Sequence, residues 1–189
     1  MSGFTAVLDA CVLYPAPLRD LLISLAAAGV YRAKWTDTIH DEWIRNLLEN
    51  RPDLTEERIR NTRTKMNIAV PDSLVTGHEE LINSLSLSDA DDRHVLAAAI
   101  RCNADSIVTF NTRDFDEAEL SKYDVYAEHP DEFVANMINM STPEVIDVAR
   151  EHRLRLRNPP KTVDEYLTTL RSQGLPQSVS ALSKYAGSI

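Results

Sequence analysis

Carboxylates at four separate places in the chain are the side chains best suited to chemistry. They follow two apolar runs (FTAVL and IVTFN) and lie within one amphipathic segment (TDTIHDEWIRNLLEN). In a fourth segment (LSDADDRHVLAAAI) they precede the apolar run VLAAAI. The set comprises Asp9, Asp114, Glu42 and the trio Asp89, Asp91 and Asp92. Singly, each acid has an ordinary explanation as a turn residue, an exposed helix acid or a helix cap.

The chemistry changes if these acids meet at one place. Two like charges about 4 Å apart repel by about 4 kcal/mol at an effective dielectric constant of 20. A cluster must therefore bind protons or recruit a cation. Because the donors are all carboxylate oxygens, the expected cation is Mg²⁺ or Mn²⁺ rather than zinc.

The hydrophobic pattern predicts elements that bring the acids together. Buried strands are expected at 4–10, 32–35, 105–111 and 124–127, with a further short strand near 74–76. Helical spacing predicts helices at 16–30, 36–50, 53–69, 90–102 and 129–138. This alternation predicts an α/β fold: three α/β/α layers, a central parallel sheet of four or five strands, and added C-terminal helices. Since open α/β sheets bind ligands outside the carboxyl ends of their strands, the acids should converge there.

Local signals predict where several helices begin or end. Gly29 suits the position after a helix, and Pro130 suits the first helical turn. Two helix starts have the spacing of a capping box, Asp53 with Glu56 and Thr162 with Glu165. Asp89 is expected to cap the helix that starts near residue 90.

The pattern changes at residue 141, after which only helices are predicted. We therefore expect an α/β domain over 1–140 and a helical extension over 141–189, with two or three helices. These helices could pack on the domain, form a homodimer interface or hold a partner.

Composition limits the classes of function. The net charge is −9, with 29 acids against 20 lysines and arginines. Such a chain does not coat nucleic acid through bulk electrostatics, although a metal-dependent nucleic-acid enzyme remains compatible with it. No run of about 20 apolar residues suggests a membrane helix, the N-terminal segment does not resemble a signal peptide, and Cys11 and Cys102 show no disulfide spacing. A reduced, cytoplasmic protein is expected.

Four motifs in the observed order, VLDACVL, DEW, DDRHVLAAAI and TFNTRDF, resemble those of the PIN-domain nucleases, and among them the VapC-type toxins. The resemblance covers about residues 4–135. It implies a parallel α/β/α sandwich, Mg²⁺- or Mn²⁺-dependent cleavage of RNA, and a cognate antitoxin that blocks the site. The catalytic and metal-binding acids carried over by position are Asp9, Glu42, Asp92 and Asp114. The resemblance also assigns supporting roles to Thr109 and Asn111, which would help to hold the last acid, Asp114, and to Asp89 as the cap beside Asp92.

The resemblance also implies the mechanism and the products. Metal ions would activate a water molecule and clamp the phosphate, which leaves a 5′-phosphate and a 3′-hydroxyl. His40 and His94 are interpreted as packing or surface residues rather than catalytic ones. A basic cluster could contact the RNA backbone or an acidic partner, although a solvated helix face is the simpler interpretation; it comprises Arg150, Arg153, Arg155, Arg157 and Lys161. Arg45, close to Glu42 in the sequence, could also meet a phosphate.

Two alternatives stay open. The first is a PIN-fold binding module without catalysis, against which the four filled acidic positions argue. The second is an aspartate-dependent phosphatase. Such enzymes usually carry a second aspartate two residues after the first, and here Cys11 holds that place.

Overall fold

The computed structural model describes residues 3–189, in which four short strands form one parallel sheet. The strands are β1 (Thr5–Leu8), β2 (Arg32–Lys34), β3 (Ser106–Val108) and β4 (Tyr126–Glu128). Their order across the sheet is β2-β1-β3-β4, and every neighbouring pair is parallel. All four residues of β1 are buried because helices cover the central strand on both faces. The predicted three-layer α/β/α fold is confirmed.

Helices make up most of the remaining structure. They are α1 (Ala10–Leu13), α2 (Ala16–Ala27), α3 (Asp37–Asn50), α4 (Glu56–Ala69), α5 (Glu79–Ile82), α6 (Arg93–Arg101), α7 (Glu117–Leu120), α8 (Pro130–Met140), α9 (Thr142–Arg155), α10 (Val163–Ser172) and α11 (Pro176–Ser183). Two single 3₁₀ turns lie at Thr112–Asp114 and Ser121–Tyr123. No helix within residues 3–189 is both long enough and apolar enough to cross a bilayer.

Several predicted helix ends are confirmed by their local chemistry. Gly29 has φ +76°, the left-handed conformation in which glycine is unstrained, directly after α2. Pro130 begins α8. At the start of α10, Thr162 and Glu165 make both reciprocal hydrogen bonds of a capping box.

Two predicted helix starts are wrong. Helix α4 is capped by Thr55, whose hydroxyl accepts the Arg58 N–H at 3.4 Å. Asp53 does not cap it, because both of its carboxylate oxygens bond to the guanidinium of Arg51. Helix α6 begins at Arg93 rather than near residue 90, which changes the role of the acids before it.

The strands are shorter than predicted. Strand β1 ends at Leu8 because the Asp9 carboxylate accepts the Ala10 N–H and starts a short helix that the sequence pattern did not indicate. Strand β3 likewise ends at Val108, which places the next three residues in a loop at the sheet edge. In the ambiguous region, Leu74 forms a parallel bridge with Trp35, and α5 follows, in line with the expected strand and turn.

The three C-terminal helices pack on the α/β core. Helix α9 contacts α2 and α8, and α11 contacts α8. The Asp131 carboxylate on α8 accepts the backbone N–H groups of Gln177 and Ser178 at the start of α11. Of the roles considered for these helices, packing on the domain is therefore seen. The division at 140/141 falls between two helices in contact and stays a prediction.

Candidate active site

Asp9 is held in place by three donors where β1 ends. Its Oδ1 accepts the Ala10 N–H at 2.6 Å. Its Oδ2 accepts hydrogen bonds from Thr109 Oγ1 at 2.7 Å and from Cys11 Sγ at 3.1 Å. Asp9 is 5% exposed, so these bonds replace most of its contact with water. The carboxylate therefore has a fixed orientation.

Thr109 joins the ends of β1 and β3. Its fully buried hydroxyl donates to Asp9 and accepts the backbone N–H of Asn111 at 3.0 Å. Asn111 is exposed, and its backbone rather than its amide side chain makes this contact. The two residues thus act on Asp9, at the first strand end, whereas the sequence assigned them to the last acid.

Cys11 belongs to the same network, although the sequence analysis did not place it in the site. Its Sγ lies 3.1 Å from Asp9 Oδ2 and 3.3 Å from Thr109 Oγ1, and it accepts the Phe110 N–H at 3.3 Å. Burial, and secondarily the Asp9 charge, raises the pKa of Cys11 to about 12. The side chain is therefore a neutral thiol. Its place two residues after Asp9 was the only signal that could have found it.

Asp92 occupies the N-cap position of α6, but its side chain caps no backbone group. Burial, and after it the nearby charges of Asp9, Asp89 and Asp114, together raise the pKa of Asp92 to about 6, against a smaller opposing effect of His94. Within residues 3–189 its carboxylate has no hydrogen-bond partner. The carboxylate thus lies in a negative field without a bonded counter-charge.

Asp89 was predicted to cap α6, and this prediction is wrong. Its Oδ1 accepts the N–H of Asp91 at 2.9 Å, a turn that ends before the helix begins at Arg93. The physical reason is that any of three closely spaced aspartates can accept a local N–H, so the sequence cannot say which one starts the helix. Asp91 is exposed to solvent.

Asp114 and Glu42 reach the region from two further elements. Asp114 lies half-buried in the 3₁₀ turn after β3, and its charge acts on Asp92. Glu42 lies on α3, where its Oε1 is 3.0 Å from Nε2 of His94 on α6. Three of the predicted acids thus share one electrostatic environment, and Glu42 is linked to it through His94.

The histidines differ from each other in what they contact. His40 is fully buried, accepts the Trp43 indole N–H at 3.0 Å and lies 3.1 Å from the amide oxygen of Asn67. It packs between aromatic rings, as the sequence interpretation held. His94 is also buried, but its partner is the carboxylate of Glu42, a contact that the sequence did not suggest.

The arginines named from the sequence make other contacts. Arg150 pairs with Asp147, and the Arg155 guanidinium donates to Ser24 Oγ. The Arg153 guanidinium donates to the backbone carbonyls of Ile189 and Lys161. Arg45 and Arg157 are exposed. Within residues 3–189, none of the five forms an ion pair with the four predicted acids.

The donor chemistry fits a hard divalent cation, although the side chains as placed do not form a closed cage. Among residues 3–189, no three histidine, cysteine, aspartate or glutamate side chains meet closely enough to hold a metal ion. The carboxylates of Asp92 and Asp114 nevertheless have no hydrogen-bond partner there, and Glu42 has only His94. Free oxygens in an acidic environment that raises the pKa of Asp92 to about 6 suit Mg²⁺ or Mn²⁺.

Comparison with known proteins gives two family matches. The family described as PIN domain matches residues 5–113, and the family described as VapC50 C-terminal domain matches residues 130–184. One relative is the putative ribonuclease VapC50 of Mycobacterium tuberculosis (strain ATCC 25618 / H37Rv), which is 37% identical over 76 residues. That alignment covers 38% of this chain and 44% of the relative, so the chain spans less than half of its length.

No solved structure matches the chain significantly. The PIN-domain match covers more than half of the chain and includes β1, β2 and β3 with the residues that join them. It contains Asp9, Glu42 and Asp92 and ends one residue before Asp114. Together with the parallel sheet and the acids along its carboxyl edge, this match establishes that the chain belongs to the PIN-domain family.

Proposed function

We propose that the chain is an endoribonuclease that hydrolyses RNA phosphodiester bonds with the help of Mg²⁺ or Mn²⁺. The observation that carries this proposal is the environment of Asp92. Its carboxylate has no hydrogen-bond partner within residues 3–189, and burial together with three neighbouring acids raises its pKa to about 6. Perturbed carboxylates at the ligand-binding edge of a sheet are typical of catalytic sites. The relative named as a putative ribonuclease points to RNA as the substrate.

The residues that would hold the metal are Asp9, Glu42, Asp92 and Asp114. When bound, the metal supplies a water of lowered pKa and positive charge beside the phosphate that is cleaved. Asp9 would contribute a carboxylate already oriented by Thr109, Cys11 and the Ala10 N–H. Asp92 and Asp114 would contribute carboxylate oxygens that accept no hydrogen bond within the described residues, so metal binding would not have to break one.

Several polar groups near these acids would bind and orient the RNA. Arg45 lies exposed on α3, one helical turn after Glu42, and its guanidinium would contact a phosphate oxygen. Asn111 is exposed between Thr109 and Asp114, with its side-chain amide free to bond a base or a sugar. Cys11 stays a neutral thiol, so no nucleophilic step is assigned to it.

The test is cleavage of total cellular RNA by the purified chain with Mg²⁺, with Mn²⁺ and with excess EDTA. We expect cleavage with either ion and none with EDTA. The Asp92→Asn variant, which keeps the size of the side chain, should lower cleavage by about 100-fold or more. Undiminished cleavage in EDTA, or full activity of Asp92→Asn, would contradict the proposal.

We further propose that the chain is the toxin of a toxin–antitoxin pair. The supporting observation is its match to the C-terminal domain family named after VapC50, in addition to the PIN-domain match. The partner would be a small antitoxin protein encoded beside it. Expression alone should arrest growth, and co-expression with the neighbouring open reading frame should restore it. Growth arrest that the neighbour fails to relieve would argue against a toxin–antitoxin pair.

One observation favours a second candidate, a PIN-fold module that binds RNA without cutting it. As placed, no three acidic, histidine or cysteine side chains within residues 3–189 form a metal cage. RNA that binds to the chain in Mg²⁺ but stays intact would support this candidate.

The proposed domain division, 1–140 and 141–189, can be examined by limited proteolysis, which should cut between the two parts before it cuts within them.

A further inference from the structure

His94 connects helix α3, which carries Glu42, with helix α6, whose N-cap is Asp92. It lies on α6, two residues after Asp92, and its Nε2 is 3.0 Å from Oε1 of Glu42 on α3. Within residues 3–189, this is the only hydrogen bond or ion pair that the Glu42 side chain makes. The imidazole is therefore the group that fixes the orientation of this carboxylate.

The surroundings of the ring determine where its proton lies. An ionised carboxylate only accepts hydrogen bonds, so the contact with Glu42 requires a proton on Nε2. The other nitrogen, Nδ1, is buried and has no hydrogen-bond partner among the described residues. Since His94 is 8% exposed, Glu42 rather than solvent is the partner of Nε2.

From this geometry we propose that His94 is a positioning residue that holds Glu42 for metal binding. Carboxylates that ligate metals are commonly oriented by hydrogen bonds of their own, and loss of such a partner typically lowers metal affinity by about 10- to 100-fold. His94 has a second effect, because it ties α3 to the first turn of α6 and so sets Glu42 relative to Asp92. The role rests on the divalent-metal site of the proposed function.

The experiment measures Mg²⁺ affinity by titration calorimetry, without RNA. We expect His94→Leu to weaken Mg²⁺ binding by about 10- to 100-fold. His94→Gln, whose amide N–H can replace Nε2–H, should recover most of that loss. The matched control is His152→Leu, which removes a buried imidazole that lies 3.0 Å from the Tyr166 hydroxyl and contacts none of the four acids. It should leave Mg²⁺ affinity unchanged.

Two further measurements separate positioning from general damage. In a Glu42→Ala background, His94→Leu should cause no additional loss of Mg²⁺ affinity, because the group it positions is gone. In ¹⁵N spectra of the imidazole, the wild-type ring should show a protonated Nε2 that is hydrogen-bonded to a carboxylate. Glu42→Ala should remove that hydrogen bond.

Four other outcomes would contradict the positioning role proposed for His94. Equal Mg²⁺ affinity in wild type and His94→Leu, or additive losses in the double variant, would overturn its positioning role and leave RNA cleavage by wild type standing. A wild-type protein that binds no Mg²⁺ would overturn the metal site and the role of His94 together. Failure of His94→Gln to bind Mg²⁺ better than His94→Leu would show that the N–H donor is not what matters.

Discussion

Two aspartates in different parts of the molecule, Asp131 and Asp92, have opposite surroundings. Asp131, in the first turn of α8, is 2% exposed and accepts the N–H of Gln177 at 2.9 Å and both the N–H and the hydroxyl of Ser178 at 2.8 Å. Asp92 is half-buried and accepts no hydrogen bond within residues 3–189, and burial raises its pKa to about 6.

The difference separates a carboxylate that holds the fold together from one that the fold leaves available. Buried acceptors are normally satisfied, because an unsatisfied one costs about 1–3 kcal/mol. Asp131 follows this rule and fastens α11 to α8. Asp92 is only half-buried, and its carboxylate, without a hydrogen-bond partner within residues 3–189, stays available at the edge of the sheet where ligands bind.

The largest expected effect tests the structural side of this comparison. Asp131→Ala removes the acceptor of the Gln177 and Ser178 N–H groups, whereas the Ser178 hydroxyl can still donate to the backbone carbonyl of Asp131. We expect the free energy of unfolding to fall by about 3 kcal/mol, measured by urea denaturation. The matched control is Asp147→Ala on α9, which breaks an exposed pair with Arg150 and should cost less than about 0.5 kcal/mol. Similar losses of unfolding free energy in both variants would show that Asp131 stabilises the fold no more than an exposed aspartate does.

The next effect compares two acids within the site in metal-free buffer. Asp9→Asn replaces one of two accepting oxygens with an amide NH₂, so we expect a loss of about 1–2 kcal/mol in unfolding free energy. Asp92→Asn removes a charge that its surroundings disfavour and should leave stability unchanged or raised. Thermal unfolding in EDTA checks both. Destabilisation by Asp92→Asn to the same extent would mean that Asp92 also holds the fold together.

A smaller effect appears as a pH dependence. The pKa of Asp92 is raised from its ordinary value of 3.8 to about 6, so the folded state binds this proton more tightly than the unfolded state. Its contribution to stability is therefore present at low pH and is lost as pH rises from about 4 to 6. Because Asp92 is only half-buried, screening by solvent reduces the expected loss to about 1 kcal/mol.

The measurement is urea denaturation of wild type and Asp92→Asn in EDTA at pH values from about 4 to 7. Wild type should lose stability relative to Asp92→Asn across this range, and the difference should level off above about pH 7. Parallel profiles for the two proteins would show that the pKa of Asp92 is not raised by folding.

The smallest effect concerns Asp89, three residues before Asp92. Asp89→Asn keeps an oxygen for the Asp91 N–H, so stability and RNA cleavage should change little. Asp89→Ala removes that acceptor from an exposed turn and should cost about 0.5 kcal/mol in unfolding free energy. An Asp89→Asn variant without RNA cleavage would move the essential carboxylate from Asp92 to Asp89.

The sequence allowed the arrangement of the sheet to be predicted, because strand and helix periods alternate clearly along the chain. It also placed Asp9 and Asp114 near strand ends, since position in a parallel sheet follows from element order. The residues at which individual helices begin were harder to predict. The choice of Thr55 over Asp53, and the start of α6 at Arg93, depended on which of several equivalent capping residues was already paired.

Contacts between distant parts of the chain were beyond the reach of sequence patterns. The partners of Asp131 lie 46 and 47 residues further along the chain. Nothing near Asp131 in the sequence therefore indicates that it binds the start of α11. The contact between His94 and Glu42 depends on how α3 and α6 pack. The role of Cys11 likewise appears only once β1 and β3 stand side by side.

The pairing of β1 with β3 also has a consequence for the synthesis of the protein. The hydrogen bond from Thr109 to Asp9 joins residues 100 positions apart, beside the pairing of Leu8 with Val108. At about 5–20 residues added per second, Asp9 leaves the ribosome roughly 5–20 s before Thr109 does. Contacts of such long range also form slowly in folding. A growing chain therefore carries Asp9, Glu42 and Asp92 before it can assemble them, and the proposed activity can arise only once the chain has been made through Asp114.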